Sequence, residues 1–319
     1  MSYKVTILGS GQVAKSLCSI LHERSFPISE LNIVSRSINK ISYGKEFILT
    51  KNLHKFDFSD TDILFGAASK EAIQFCMLKI SSNCIVIDKS EAFRETSCLA
   101  ISEINSNQFH KHNIFSSPNC VVIPLAIVMH ALSKLPIIHA SISTYQSVSG
   151  AGEKGSKALL EETKGTFLMA KQTPHYFARQ IAFNVIPQVG TFLECGNTFE
   201  EAKIEKELQK LLNISFSLSV TCVRVPVLIG HSISLHIVFD KNIKQSTIEL
   251  ALKSISCISL HEKERYVTAL EAAHENEIFI SRLVVSKNHA KMWITCDNLR
   301  KGAALNAVQI AEFLISQTS

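Results

Sequence analysis

Short β-branched apolar runs alternate with helix-patterned stretches through the first ninety residues, and few folds accommodate that order. Residues 5–8, 31–34, 62–67 and 84–87 read as strands. Between the first two, Val13, Ala14, Leu17, Cys18, Ile20 and Leu21 fall on one helical face. Ser69 is placed to N-cap the helix that follows the third strand. Strands of this kind separated by helices imply an α/β fold: a doubly wound parallel sheet covered on both faces. The remainder changes character. Residues 139–148 alternate over a long run, as an antiparallel strand does, and 153–164 reads as a helix. Thr198 and Glu201 form a capping-box pattern opening a helix to about Leu212. Residues 216–225, 232–239, 277–285 and 289–296 read as further strands, and 299–315 as a closing helix. This second part suits an α+β domain with a mixed sheet.

A chain of 319 residues, 46% hydrophobic and 19% charged, can bury a sizeable core and is no disordered or fibrous protein. No apolar run approaches the ~18 residues of a membrane span. The opening MSYKVTILGS lacks a basic region and a cleavage site, so a cytoplasmic location is expected. Nine scattered cysteines without a CxxC pair indicate reduced thiols, neither a disulfide framework nor a metal site. A formal charge of +5 with no basic block excludes a dedicated nucleic-acid binder.

Two features carry chemistry. Gly9-Ser10-Gly11-Gln12-Val13-Ala14 is GxGxxA between the first strand and the first helix. Glycines there let a backbone approach a pyrophosphate at a helix N-terminus, although GxG also occurs in ordinary tight turns. The second strand ends in Ser35-Arg36-Ser37. It lacks the acid that binds ribose hydroxyls in NAD enzymes. Arg36 can pair with a 2′-phosphate, which favours NADP; alternatively it is a solvated surface arginine. The second feature is Ser117-Pro118-Asn119-Cys120 before an apolar helical stretch over 121–132. A cysteine at a helix N-terminus is favoured as thiolate, and the amides there are candidates to hold an oxyanion. A single cysteine is otherwise most often a small buried hydrophobe.

That motif is followed in order by STYQSVSGAG at 143–152, TCVRVPV at 221–227, Gly230-His231-Ser232, and DNLRKGAALNAVQIAE at 297–312. Together they resemble the aspartate-semialdehyde dehydrogenase family over essentially the whole chain. The resemblance implies that Cys120 is the nucleophile, His231 the general acid/base, and Gln146 the residue that helps hold substrate and water. It implies that Arg224 binds the substrate α-carboxylate, Glu200 its amino group, and Lys203 and Arg94 phosphate. Asn119 joins the substrate site. Gly9, Ser10, Gly11, Gln12, Val13, Arg36, Ser37, Ser149, Gly150 and Asn298 are implied cofactor contacts, with no metal.

The fold so implied is a Rossmann-type NADP domain, residues 1–120, completed by the C-terminal helix 298–319. A catalytic and dimerisation domain spans 121–297. The site is expected where the two meet, at the C-terminal ends of the parallel strands. The reaction implied is NADPH-dependent reductive dephosphorylation of L-aspartyl 4-phosphate to L-aspartate 4-semialdehyde through a cysteine thioester. It serves lysine, threonine and methionine synthesis, and diaminopimelate in a bacterium. A homodimer or homotetramer is expected, without nucleic-acid or membrane partners.

The sequence departs from the family pattern in places: a glycine loop one residue short, Ser117 for Asn, and Lys89 near Arg94. Two other readings remain beside this one. N-acetyl-glutamyl-phosphate reductase uses the same chemistry, but its Asn-Pro-Gly-Cys-Tyr is absent. A non-catalytic binding paralogue would keep the fold and lose turnover.

Overall fold

A computed structural model describes residues 1–169, 176–262 and 264–317. The chain forms two compact units: Met1–Pro118 with the segment from Ala303, and Asn119–Gly302.

In the first unit the order is β1 (Tyr3–Leu8), α1 (Gln12–Glu23), β2 (Ile28–Ser35), a hairpin of β3 (Lys40–Tyr43) and β4 (Glu46–Leu49), and β5 (Lys51–Asn52). There follow β6 (Ile63–Gly66), α2 (Lys70–Met77), β7 (Ile85–Asp88), β8 (Cys98–Leu99), α3 (Ser102–Asn105) and β9 (Ile114–Ser116). Seven strands form one sheet, ordered β5-β2-β1-β6-β7-β9-β8. Every pairing in it is parallel. Both faces are covered, as the apolar runs predict. Val5, Ile7, Ile63 and Phe65 face a core that α1 completes. Leu8, Leu64 and Val86 face another that holds Ala72, Ile73 and Cys76 of α2. Strands buried on both faces have no polar side to alternate, which is why they read as continuous apolar runs. Ser69 stands at the N-cap of α2, but its side chain makes no capping bond; it accepts instead from Arg36 Nη2 at 3.4 Å.

The second unit contains α4 (Val122–Ala131), β10 (Ile137–Gln146), α5 (Gly152–Phe167), α6 (Phe199–Leu212), β11 (Ser217–Arg224), β12 (His231–Phe239), α7 (Gln245–Lys253), β13 (Ile258–Leu260), α8 (Ala269–Ala272), β14 (Ile278–Ser286) and β15 (His289–Cys296). Its six-stranded sheet is ordered β11-β10-β12-β15-β14-β13. β10 is antiparallel to β12, as its alternation suggests, but parallel to β11 on its other edge. The sheet is therefore antiparallel at its centre and parallel at its two edges, where β13 also pairs parallel with β14. Register does the rest of the positioning. Gln146 lies opposite Arg224, Tyr145 opposite Ser232, and His231 opposite Cys296. The C-terminal ends of β10, β11 and β15 and the start of β12 thus line up at one end of the sheet.

Helix α4 is apolar all round, with Val122 through Met129 buried, as befits a helix with no solvent face. Helix α6 begins with the expected capping box: Thr198 N–H donates to Glu201 Oε2 at 2.6 Å, and Glu201 N–H to Thr198 Oγ1. Glu201 also accepts from the Cys222 amide at 2.8 Å, so the same carboxylate ties α6 to β11.

The closing helix of the sequence reading, 299–315, starts differently. A π-helical turn over Arg300–Ala304 precedes α9 (Leu305–Ser316), which packs in the core of the first unit. The expected end of the C-terminal helix at 318–319 lies outside the described residues. Among the described residues no helix is long and apolar enough to cross a membrane, and no cluster of His, Cys, Asp or Glu could hold a metal ion.

Candidate active site

Cys120 sits in the turn just before α4, flanked by two residues whose amides are already engaged. The Asn119 N–H donates to Glu207 Oε2 at 2.7 Å, and the Val121 N–H to Asn119 Oδ1 at 2.8 Å. These two amides are therefore not available to hold an oxyanion. They are consumed in fixing the turn, because a buried N–H without a partner costs about 1–3 kcal/mol. Cys120 Sγ faces His231 Nε2 at 3.4 Å. Gly302, in the π-helical turn, approaches from the other side. A Cβ there would fall 2.9 Å from the Cys120 carbonyl oxygen and 3.2 Å from its Cβ. Gly302→Ala should accordingly displace Cys120 and lower kcat by about tenfold or more, as misplacement by ~1 Å does elsewhere. Unchanged kcat would show that the turn tolerates the methyl.

Of the remaining side chains, Gln146, Arg224 and His231 are buried, and Glu200 and Lys203 are half-buried. Gln146 is 1% exposed and lies on the buried face of its alternating strand. Its Nε2 donates to Glu200 Oε1 at 3.3 Å, and Asn119 Nδ2 donates to the same oxygen at 2.8 Å. Lys203 Nζ lies 2.7 Å from Glu200 Oε2. Burial alone would raise the Glu200 carboxyl, but Lys203 and these hydrogen bonds outweigh it, and the group stays anionic below its usual range. Arg224 is held at its backbone by reciprocal bonds with Ile186 and at Nη1 by the Ser147 carbonyl at 2.8 Å. Its guanidinium lies over the Phe177 ring. A Cβ at Gly150 would come within 3.0 Å of Arg224 Nη1 and 3.3 Å of His231 Nε2, so glycine keeps that wall open.

His231 is anchored on its far side. The Ser147 N–H donates to Nδ1 at 3.1 Å, and Ser147 Oγ lies at the same distance. Ser147 Oγ, Ser149 Oγ and the Gly230 amide all converge on Asn298 Oδ1. Burial first, then the neighbouring Arg224 charge, pushes the imidazole down to about 3. Histidine in an unfolded chain titrates near its usual value of about 6.5. Below that pH the unfolded state binds a proton that the folded state refuses. Stability should fall with falling pH by up to about 1.4 kcal/mol per unit until the folded value is reached. Wild type should therefore lose more Tm than His231→Gln between about pH 6 and 4. Parallel Tm–pH curves would contradict the assignment.

The five buried thiols are poor rivals. Burial pushes Cys18, Cys76, Cys84 and Cys222 up to about 12, and Cys296 higher still.

In the first unit, Gly9, Ser10 and Gly11 form the turn from β1 to α1, and Gln12 and Val13 open the helix. A cavity of about 270 Å³ lies over this turn, lined also by Ser35, Arg36 and Ser37. A Cβ on Gly11 would meet nothing within 4 Å, and the first turn of α1 carries no acid. Space, amides and a nearby arginine, which also neighbours Glu71, fit a phosphorylated dinucleotide. Asn39 bridges Ser10 Oγ and Ser37 Oγ at 3.0 and 2.9 Å, fixing the two loops together. Arg94, in the loop after β7, donates to the Lys89 carbonyl at 3.2 Å and lies near Glu91. Lys89 itself donates to the Pro118 carbonyl.

Sequence reasoning passes over Glu207, Ser147 and Asn39. Ser147 and Glu207 act on backbone or ring nitrogens of distant residues. One signal was available: Glu207 follows Glu200 and Lys203 at i+7 and i+4, on the same face of α6. Glu207→Ala should leave the Asn119 amide unsatisfied and cost about 1–3 kcal/mol of stability. A ΔΔG within error of zero in urea melts would remove Glu207 from this role.

A parallel dinucleotide-type sheet in one unit and a cysteine–histidine pair at the edge of a mixed sheet in the other define a dehydrogenase of the semialdehyde class. Residues 4–112 match the family model "semialdehyde dehydrogenase, NAD binding domain", and residues 129–301 match "semialdehyde dehydrogenase, dimerisation domain". The chain is 40% identical to the aspartate-semialdehyde dehydrogenase of Rickettsia conorii, over 98% of both chains. The crystal structure of aspartate semialdehyde dehydrogenase II from Vibrio cholerae superposes with a TM-score of 0.94 at 30% identity, covering 100% of both chains. A second structure of that enzyme, complexed with ASA, matches equally well. The chain belongs to the aspartate-semialdehyde dehydrogenase family.

Proposed function

We infer that the chain catalyses the NADPH-dependent reductive dephosphorylation of L-aspartyl 4-phosphate to L-aspartate 4-semialdehyde, reversibly, in amino-acid biosynthesis. The observation that carries this reading is the 3.4 Å approach of Cys120 Sγ to His231 Nε2 beside buried Gln146 and Arg224 and half-buried Glu200. Family membership and the ASA complex of the Vibrio cholerae enzyme support it.

The Cys120 thiolate attacks the β-carbonyl carbon. The C–O bond to phosphate breaks, and a thioester remains on the sulfur. Arg224 holds the α-carboxylate, for which a planar guanidinium is suited. Glu200, anionic and fixed by Lys203, holds the ammonium group. Gln146 and Asn119 orient the bound acyl group, both already bonded to Glu200. Lys203 and Arg94 receive the phosphate. The reduced nicotinamide supplies a hydride to the thioester carbon when bound. The resulting alkoxide collapses, expels the Cys120 thiolate and releases the aldehyde.

In this reading the first unit binds NADP. Gly9, Ser10, Gly11, Gln12 and Val13 take the pyrophosphate at the α1 N-terminus, and Arg36 and Ser37 take the 2′-phosphate. Ser149, Gly150 and Asn298 complete the cofactor contacts. The second unit carries the chemistry and self-association, as a homodimer or homotetramer in the cytoplasm. Phosphate-dependent reduction of NADP is expected with L-aspartate semialdehyde and not with N-acetylglutamate semialdehyde. Turnover of only the second would point to N-acetyl-glutamyl-phosphate reductase. NADP binding without turnover of either would point to a binding paralogue.

A further inference from the structure

We propose that Asn39 is a positioning residue for the dinucleotide: its side-chain amide donates to the hydroxyl oxygens of Ser10 and Ser37 and so leaves both hydroxyl hydrogens for the phosphates of NADP. The inference rests on the cofactor reading above and deepens it, because Asn39 itself does not line the cavity over the glycine turn.

The geometry begins at the backbone. The Asn39 N–H donates to Thr50 Oγ1 at 2.8 Å, and the Thr50 N–H donates to the Asn39 carbonyl at 2.9 Å. Thr50 is buried, so this reciprocal pair ties the loop after β2 to the residue that follows β4. From that anchor the Asn39 side chain reaches three oxygens. Its Nδ2 lies 3.0 Å from Ser10 Oγ, 2.9 Å from Ser37 Oγ and 3.1 Å from the Ser37 carbonyl oxygen. A carbonyl can only accept, so the end of the amide that faces it is the NH2. Placing Oδ1 there would set two acceptors against each other. The Ser37 carbonyl also accepts from Thr50 Oγ1 at 2.9 Å and from Ser35 Oγ, which fixes Ser37 from behind.

The consequence is a count of hydrogens. An amide NH2 has two, and a hydroxyl has one hydrogen and two lone pairs. One amide hydrogen goes to Ser10 Oγ, and the other is shared by the two oxygens of Ser37. Each hydroxyl thus gives a lone pair to Asn39 and keeps its own hydrogen. Among the described residues neither hydroxyl donates to another group. Ser10 and Ser37 both line the cavity, beside Gly9, Gly11 and Arg36. A phosphate oxygen takes up such hydrogens as an acceptor. A freely turning hydroxyl would have to be ordered on binding, whereas here the amide narrows its directions beforehand. Ser10 serves the pyrophosphate and Ser37 the 2′-phosphate in the cofactor reading. One side chain therefore sets both contacts, and only the second distinguishes NADP from NAD.

The test is calorimetric titration of the full chain with NADP and with NAD, which reads affinity without turnover. Asn39→Ala should raise the Kd for NADP about tenfold, as loss of ordinary hydrogen bonds does. The Kd for NAD should rise only about threefold, because NAD lacks the group that Ser37 meets. At saturating NADP, kcat should stay within about twofold of wild type, since the reacting groups are untouched. The second arm is a cycle with Ser10→Ala and Ser37→Ala together. In that background Asn39→Ala should change the Kd for NADP by less than about twofold, because its effect passes through the two hydroxyls. A full further loss there, in variants folded by circular dichroism, overturns the proposal and makes Asn39 a structural residue of the loop. An unchanged Kd for NADP in the single variant overturns it as well. Should Asn39→Ala fail to fold, Asn39→Asp keeps the shape but offers the serines only lone pairs. It should bind NADP at least about tenfold more weakly than wild type, and wild-type affinity would overturn the proposal. A wild-type chain that binds neither nucleotide removes the cofactor reading itself, and the role of Asn39 with it.

Discussion

Cys120→Ala is expected to lower kcat by about 10⁴-fold or more while leaving the fold and NADP binding intact. The expectation of an intact fold follows from where the sulfur sits. The turn is held through the Asn119 backbone, the Asn119 side chain and the close packing of Gly302, and none of these uses Sγ. Alanine removes the proposed nucleophile, and among the described residues the neighbouring Cys222 and Cys296 are poor substitutes because burial holds them as thiols. The comparison of kcat with NADP affinity is decisive. Turnover within about tenfold of wild type would exclude a covalent route through Cys120.

Arg224→Ala is expected to raise KM by about 10²–10⁴-fold, since two charge-assisted hydrogen bonds of ~1.5–3 kcal/mol each are lost. Arg224→Lys should recover part of this and remain about 10–10²-fold impaired, because an ammonium is a point charge and not a planar fork. Arg224 also supports Ser147 through its carbonyl, and Ser147 holds His231. A smaller fall in kcat should therefore accompany the rise in KM. A variant with unchanged KM and reduced kcat would place the α-carboxylate elsewhere and leave Arg224 a purely supporting role.

Much of the fold was legible because its signals are local. Apolar runs between helical stretches mark a parallel sheet, and the Thr198–Glu201 spacing marks the start of α6. Less legible was anything set by pairing across the sheet. The alternation of β10 shows that one face is buried but not that β11 runs parallel to it. At the site, Cys120 stood out by its place before an apolar helix, and Gln146, Arg224 and His231 by the motifs around them. What holds these groups left no pattern. Glu207 reaches the Asn119 amide across 88 positions, and Ser147 reaches His231 across 84. A backbone N–H is the same in every residue type, so its partner cannot be read from composition or spacing. The π-helical turn at Arg300–Ala304 leaves no pattern in the sequence either, and Gly302 within it packs against Cys120.

The covalent step is tested most directly by mass spectrometry of the enzyme quenched after mixing with NADP and L-aspartate semialdehyde in the absence of phosphate. Without an acceptor the acyl group should accumulate, and the peptide carrying Cys120 should gain the mass of one aspartyl group in step with a burst of NADPH. A burst of NADPH with that peptide unmodified would contradict the account.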